Sequence, residues 1–457
     1  MTKVDQQTPE VAAMLAAAQP VVDLALGGAN MRARGETYLP RFPMETVADY
    51  NARVASSWLF DGVGKAIEDY TGRLFDKPMT PEDDGELAEW CSNIDNEGRD
   101  LSNFAQDVFL EAVKTGIAFL MVDAPPRPAG VTKGQAKALN LRPYCSLIPM
   151  ASVLGWKVAT INSRPTLTQW RIMERVDADD ADEFTDAKVD QIRVLDLIEG
   201  RVQGRLFRKN AKAGSWYEHD AFLTDFTEIM VAPVYTGRTG FFRAKPPLAR
   251  LAEINMAHWR SQSDQANIMH HARAPLKYFH GYQPDDLRAF AENPGYVVVN
   301  ADPNAKVGTL EHSGAAIAAG REELRDLEQQ MQWVGLQLVL SKHGQSTATG
   351  DMIDEKKNTS ALSMWADNLK DALERALIWL ADVGGLAGAK TGVVMSTDLL
   401  ALSLRAADMD VLIKIGLTPR ALLSEAKRRG LVADDMDIDA EAEAIAAGLM
   451  DTPDGAF

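Results

Sequence analysis

Between Pro246-Pro247 and Pro275 the chain reads LARLAEINMAHWRSQSDQANIMHHARA, with no proline or glycine inside. A proline pair suits a helix start and a proline ends one, so the spacing predicts a single helix. At 1.5 Å per residue its roughly 26 residues would span about 39 Å, more than the width of a small domain. A second long helical pattern covers about 316–340, and a third covers 351–383, with Ile353, Leu362, Trp365, Leu369, Leu373, Leu377 and Leu380 along one side. The fold must therefore accommodate three helices longer than ordinary globular ones.

Residues 8–115 also read as helical. Val54, Trp58, Ile67, Tyr70 and Leu74 fall at helix-like spacings, and Gly116 is a helix stop. From Ile117 to Gly237 the apolar residues come in short, alternating or β-branched runs, such as TLTQWRIMERV and FTEIMVAPVY, with a hairpin expected at Glu199-Gly200. A compact, less helical insert follows the first long helix and carries an expected strand at Tyr296–Asn300. The fold class is α+β, mainly helical.

The 457 residues allow two or three modules, and 46% hydrophobic with 25% charged residues is ordinary for a globular protein. Acids outnumber bases 65 to 48, giving a net charge of −17. That balance opposes tight wrapping of nucleic acid, which depends on Lys and Arg displacing counterions from phosphate. The last 24 residues hold eight acids and no Lys or Arg, so a solvated end is expected. Cys91 and Cys145 stand far apart without metal-ligand spacing, which points to a reducing compartment. No signal-peptide core and no run approaching roughly 20 apolar residues is present, so a soluble, intracellular chain is expected.

Between the second and third helical patterns lies SKHGQSTATGDM, residues 341–352. A phosphate-binding P-loop needs G-x-x-x-x-G-K-[ST]. Gly344 and Gly350 are one residue too far apart, and Asp351 occupies the place of the lysine, where a carboxylate would repel phosphate. His270 and His271 are adjacent and diverge by about 100° on a helix, and His258 is twelve residues away, so the histidines do not make a helical metal site. No G-x-S-x-G elbow or H-E-x-x-H pair occurs. Asp351, Asp354 and Glu355 leave one enzymatic alternative, a magnesium-dependent nuclease, although helix N-termini favour acids for dipole reasons alone. Catalytic residues, resident metal and cofactor are otherwise not expected.

The order of elements, with the segments YLPRFPMETVADYNAR, PVYTGRTGFFRAKPPLARLAEINMAHWRSQSDQANIMHHAR, DPNAKVGTLEHSGAAI and TATGDMIDEKKNTSALSMWADNLKDALERAL, resembles the portal proteins of tailed bacteriophages, through a portal-like phage and prophage family of otherwise unknown function. The resemblance covers roughly residues 35–390. It implies a portal fold with a wing at 1–240 containing the β block 117–237, a first stem helix at 241–274, and a clip at 275–314. A second stem helix at 315–340, a channel loop at 341–350, a long helix region at 351–395, and a crown with an acidic tail at 396–457 complete it. It further implies a twelve-subunit ring at one capsid vertex of the virion, made in the bacterial host cytoplasm. Double-stranded DNA would pass through it, weakly and without sequence preference, during packaging and ejection. Expected protein partners are the terminase large subunit, a head-tail adaptor, the major capsid protein and scaffold protein, with no membrane. Within the channel loop, Lys342, His343, Gln345, Ser346, Thr347 and Thr349 would face the DNA, with Gly344 and Gly350 as hinges.

Overall fold

The computed structural model describes residues 4–125, 130, 132–178, 184, 187–210, 214–273, 276–282, 304–310, 314–336, 348–395, 418–428, 432 and 436–446. The helices are α1 (Pro9–Ala25), α2 (Gly28–Arg34), α3 (Val47–Ser56), α4 (Gly62–Leu74), α5 (Glu86–Cys91), α6 (Leu101–Thr115), α7 (Lys133–Ala138), α8 (Ala249–Arg273), α9 (Gly314–Met331), α10 (Ala348–Gly384), α11 (Pro419–Arg428) and α12 (Ile438–Ala446). The strands are β1 (Thr80–Pro81), β2 (Ile117–Asp123), β3 (Tyr144–Ile148), β4 (Val153–Ile161), β5 (Arg164–Asp177), β6 (Lys188–Ile198), β7 (Arg201–Lys209), β8 (Trp216–Leu223), β9 (Val231–Tyr235), β10 (Arg238–Gly240), β11 (Arg243–Ala244), β12 (Leu276–His280), β13 (Lys306–Leu310) and β14 (Val393–Val394). The class is mixed α+β. The expected strand at Tyr296–Asn300 lies outside the described residues.

The chain divides into two units: residues 1–22, 65–249 and 337–457 form one, and residues 23–64 and 250–336 the other. Residues 23–64 therefore fold with the first two long helices.

The first unit is built on two antiparallel sheets, a five-stranded meander in the order β4-β5-β6-β7-β8 and a three-stranded sheet in the order β3-β2-β9. The expected hairpin joins β6 to β7, with Glu199 and Gly200 both at positive φ (52° and 78°), as a tight two-residue turn requires. Strand β2 is buried on both faces over its first six residues, which explains its continuous apolar reading IAFLMV. Between the sheets lies an aromatic cluster in which Trp170 sits 4.9 Å from Phe119 and 5.8 Å from Phe242, centroid to centroid. Arg193 on β6 is paired with Asp123 on β2 and, at 3.0 Å, with Glu174 on β5, so an ionic staple joins the two sheets beside that cluster.

Helix α6 packs on β2. Asp100 caps it by accepting a hydrogen bond from the Asn103 amide at 2.8 Å, and Gly116 ends it at φ 88°. A Cβ at Gly116 would also collide with the Lys245 carbonyl oxygen, so the stop is required by sterics as well as by φ. Helix α10 packs beside it, against β2, β9 and α6, with the stripe legible in the sequence: Leu362, Trp365, Leu369, Leu373, Leu377 and Leu380 are all buried. Trp365 is edge-on to Tyr70 at 5.3 Å and close to Phe109 at 6.5 Å. Truncation of this side chain to alanine (Trp365→Ala) is expected to destabilise the unit by about 3–5 kcal/mol, the usual range for a buried tryptophan. Chemical denaturation measures it, and a change near zero would contradict the core assignment.

In the second unit one expected core position is reversed. Helix α3 ends at Ser56, where Ser57 turns extended at φ −67° and ψ 137°, and Trp58 is 59% exposed. The helical spacing of Val54 and Trp58 therefore does not continue through the turn. Ile67, Tyr70 and Leu74, on the part of α4 that belongs to the first unit, are buried as expected.

Candidate functional site: a helical stalk

Helix α8 has 25 residues, about 37 Å of rise. Its polar side chains reach α9 at successive levels. His258 Nε2 lies 3.4 Å from Glu328 Oε1, Ser261 Oγ donates to Glu323 Oε2 at 3.0 Å, and Gln265 Nε2 donates to the Ile317 carbonyl oxygen at 3.0 Å. As one number rises the other falls, so the helices are antiparallel. Gly320 permits this approach, since a Cβ there would meet the Gln265 side chain. The antiparallel relation continues in β12 and β13, paired from Leu276↔Leu310 to His280↔Lys306. The arrangement is a two-helix stalk that passes into a two-stranded ribbon, with residues 283–303 connecting the far ends outside the described set.

The base of the stalk is held by the segment 23–64. Asn255, fully buried on α8, accepts from the Gly62 and Val63 amides at 3.1 and 3.0 Å and donates to the Phe60 carbonyl at 2.8 Å. It thus satisfies the first two amides of α4, while Asp61 at the helix N-cap accepts from the Gly64 amide at 3.0 Å. Arg53 is buried and forks onto Glu45 with contacts of 2.7 and 2.8 Å. It also donates to the Pro40 carbonyl at 3.0 Å and reaches Ser263 on α8 at 3.4 Å, while its guanidinium lies 4.0 Å from the Phe42 ring centroid. The Arg53 hydrogen bonds hold the Glu45 carboxyl below its usual range. Asp23, also buried, accepts from Asn30 at 3.1 Å, Arg34 at 2.8 Å and the Tyr38 hydroxyl at 2.7 Å. Burial first, then Asp23, pushes the Tyr38 hydroxyl pKa up.

Two stalk groups feel burial most directly. His258, 1% exposed, is pushed toward its neutral form by desolvation, partly opposed by Glu328. Asp264 is pushed up by burial despite Arg53 nearby. Beyond α9, residues Gln332–Leu336 form a π-helical turn that leaves Trp333 70% exposed. The second long helix is therefore α-helical only to Met331, short of the expected end at 340, and residues 337–340 lie outside the described set.

Of the expected channel-loop residues, Lys342, His343, Gly344, Gln345, Ser346 and Thr347 lie outside the described residues. Helix α10 begins at Ala348, earlier than expected, so Thr349 and Gly350 belong to its first turn and not to the loop. The run ATGDMIDEKK tolerates helix because a glycine in the first turn costs little and acids there favour the dipole. The same helix carries Asp351, Asp354 and Glu355, spaced so that their backbone positions share one face. Among the described residues no group of three or more His, Cys, Asp or Glu is placed to hold a metal ion. No described helix is long and apolar enough to cross a membrane.

Sequence reasoning did not single out Arg53 or Asn255. Asn255 had a signal: it interrupts the stripe Leu251, Ala252, His258, Trp259 at core spacing, where a polar residue must find buried partners.

The model of DUF4055, a domain of unknown function, matches residues 247–383, from the stalk through most of α10. No curated protein matches the chain. Solved structures similar to it include two particle necks. The neck of an empty GTA particle, computed with C6 symmetry, has a TM-score of 0.43 and 11% identity, covering 82% of this chain and 90% of that one. The neck of a native GTA particle, computed with C12 symmetry, has a TM-score of 0.40 and 12% identity, covering 88% of this chain and 97% of that one.

Proposed function

We propose that this chain is a structural, non-enzymatic component of the neck of a phage-like particle, and within it the portal subunit: one copy in a closed, twelve-membered ring that conducts double-stranded DNA. The observation that carries the reading is the stalk, an antiparallel helix pair ending in a strand ribbon and followed by a helix of 37 residues. That succession agrees with the stem, clip and channel helix implied by the sequence resemblance. A 50.0 kDa chain can surround a duplex roughly 20 Å wide only by joining copies head to tail in a contact that closes.

On this reading the mechanism is geometric. The motor supplies force, and the ring supplies a hole, a docking surface at the clip and a loop that touches DNA. The loop is Lys342–Thr347, small and polar in sequence, with Gly344 as its hinge. A net charge of −17 per copy suits a conduit, since strong phosphate contacts would act as brakes. Terminase, a head-tail adaptor and capsid protein are the partners of such a ring. The test is genetic: particles assembled without this chain are expected to contain no packaged DNA, and DNA-filled particles in its absence would overturn the proposal.

A further inference from the structure

The five-stranded sheet has two open edges, and they differ in character. On β8 the run Tyr217–Ala221 is exposed, and among the described strands β8 is hydrogen-bonded to β7 on one side. This edge carries Glu218 and Asp220, with Tyr217 45% and Leu223 77% exposed. On β4 the first half is covered, since Thr8 donates to the Leu154 carbonyl at 2.9 Å, but Lys157–Ile161 is exposed along its length. This second edge carries Lys157, has Arg164 just past its hairpin, and exposes Val158 and Ile161. Glu218, Asp220, Lys157 and Arg164 make no ion pair among the described residues. Each edge thus offers an exposed stretch of strand with no further strand beside it among the described residues, two apolar side chains and one sign of charge, opposite to that of the other edge.

We infer that the β8 edge of one copy of this chain docks on the Lys157–Ile161 edge of the next, extending the sheet from subunit to subunit. Because three strands of an antiparallel meander lie between the edges, β4 and β8 run in the same direction, and head-to-tail docking makes a parallel pair. The two-fold alternative would set β8 against β8, with Glu218 and Asp220 facing their own copies, and like charges across a strand pair are destabilising. The contact is therefore heterologous, and it propagates into a ring when the rotation closes. This inference rests on the proposed ring and specifies one of its contacts.

The test uses two full-length variants. In the first, Glu218→Lys and Asp220→Lys make both edges basic; in the second, Lys157→Glu and Arg164→Glu make both acidic. All four side chains are on the surface, so folding is expected to be unaffected. By native mass spectrometry, each variant alone is expected to lose the oligomer, whereas an equimolar mixture is expected to regain it with the two variants present one to one. If the first variant alone assembles as the wild type does, the edge contact is overturned while the ring reading stands. Failure of the mixture to assemble at low salt, with both variants folded by circular dichroism, also overturns it. A wild-type chain that stays monomeric under all conditions removes the ring and this contact together.

Discussion

Replacing Arg53 with methionine (Arg53→Met) is expected to destabilise the stalk-bearing unit by about 3–5 kcal/mol, because it removes one partner from a buried ion pair and leaves a carboxylate without compensation. Both side chains are nearly inaccessible, at 4% for Arg53 and 8% for Glu45. The arginine also satisfies the Pro40 carbonyl and touches Ser263, so its loss uncouples the 38–57 segment from α8. Glu45→Gln, which keeps shape and hydrogen-bonding capacity, is expected to cost less. Combining Arg53→Met with Glu45→Met is expected to recover part of the loss, since no charge is then left buried. Urea denaturation of the three variants measures this. Equal, near-zero effects would mean that the pair is not buried in solution.

The second large effect is functional. Deleting Lys342–Thr347 is expected to leave ring assembly unchanged and to abolish packaging or retention of DNA in the head. The deletion stops short of Ala348 because Thr349 and Gly350 belong to the first turn of α10, and shortening that helix would confound the result. Assembly is read by sedimentation and packaging by nuclease-protected DNA in particles. Loss of folding would mean that the segment is part of the core, and normal packaging would remove it from the DNA path.

Much of the frame was legible because its signals are local. The α10 stripe repeats every three or four residues over five turns, the Glu199-Gly200 turn has the φ preference of a two-residue hairpin, and Gly116 is a left-handed stop; each depends on near neighbours alone. What was not legible depends on distant partners. Trp58 continues a helical spacing, yet the helix ends two residues earlier, and nothing in the local sequence shows that Ser57 turns extended. Asn255 and Arg53 are explained only by groups about 190 and 210 residues away, or by a buried glutamate across a turn. The membership of residues 23–64 in the stalk unit follows from these same contacts. The stalk itself lies between: its helices were expected from periodicity, but their antiparallel register is set by the His258, Ser261 and Gln265 contacts and continued by β12 and β13. For the candidate site, the sequence pointed to residues 341–350 through their polarity and flanking helices. The structure moves the helix start to Ala348 and so narrows the segment.

The central claim is that copies of this chain close into a ring wide enough for duplex DNA. Electron microscopy of the purified full-length protein tests it most directly. Class averages are expected to show closed rings with a central channel wider than the roughly 20 Å duplex; monomers or two-fold dimers under every condition, with no rings, would contradict the account.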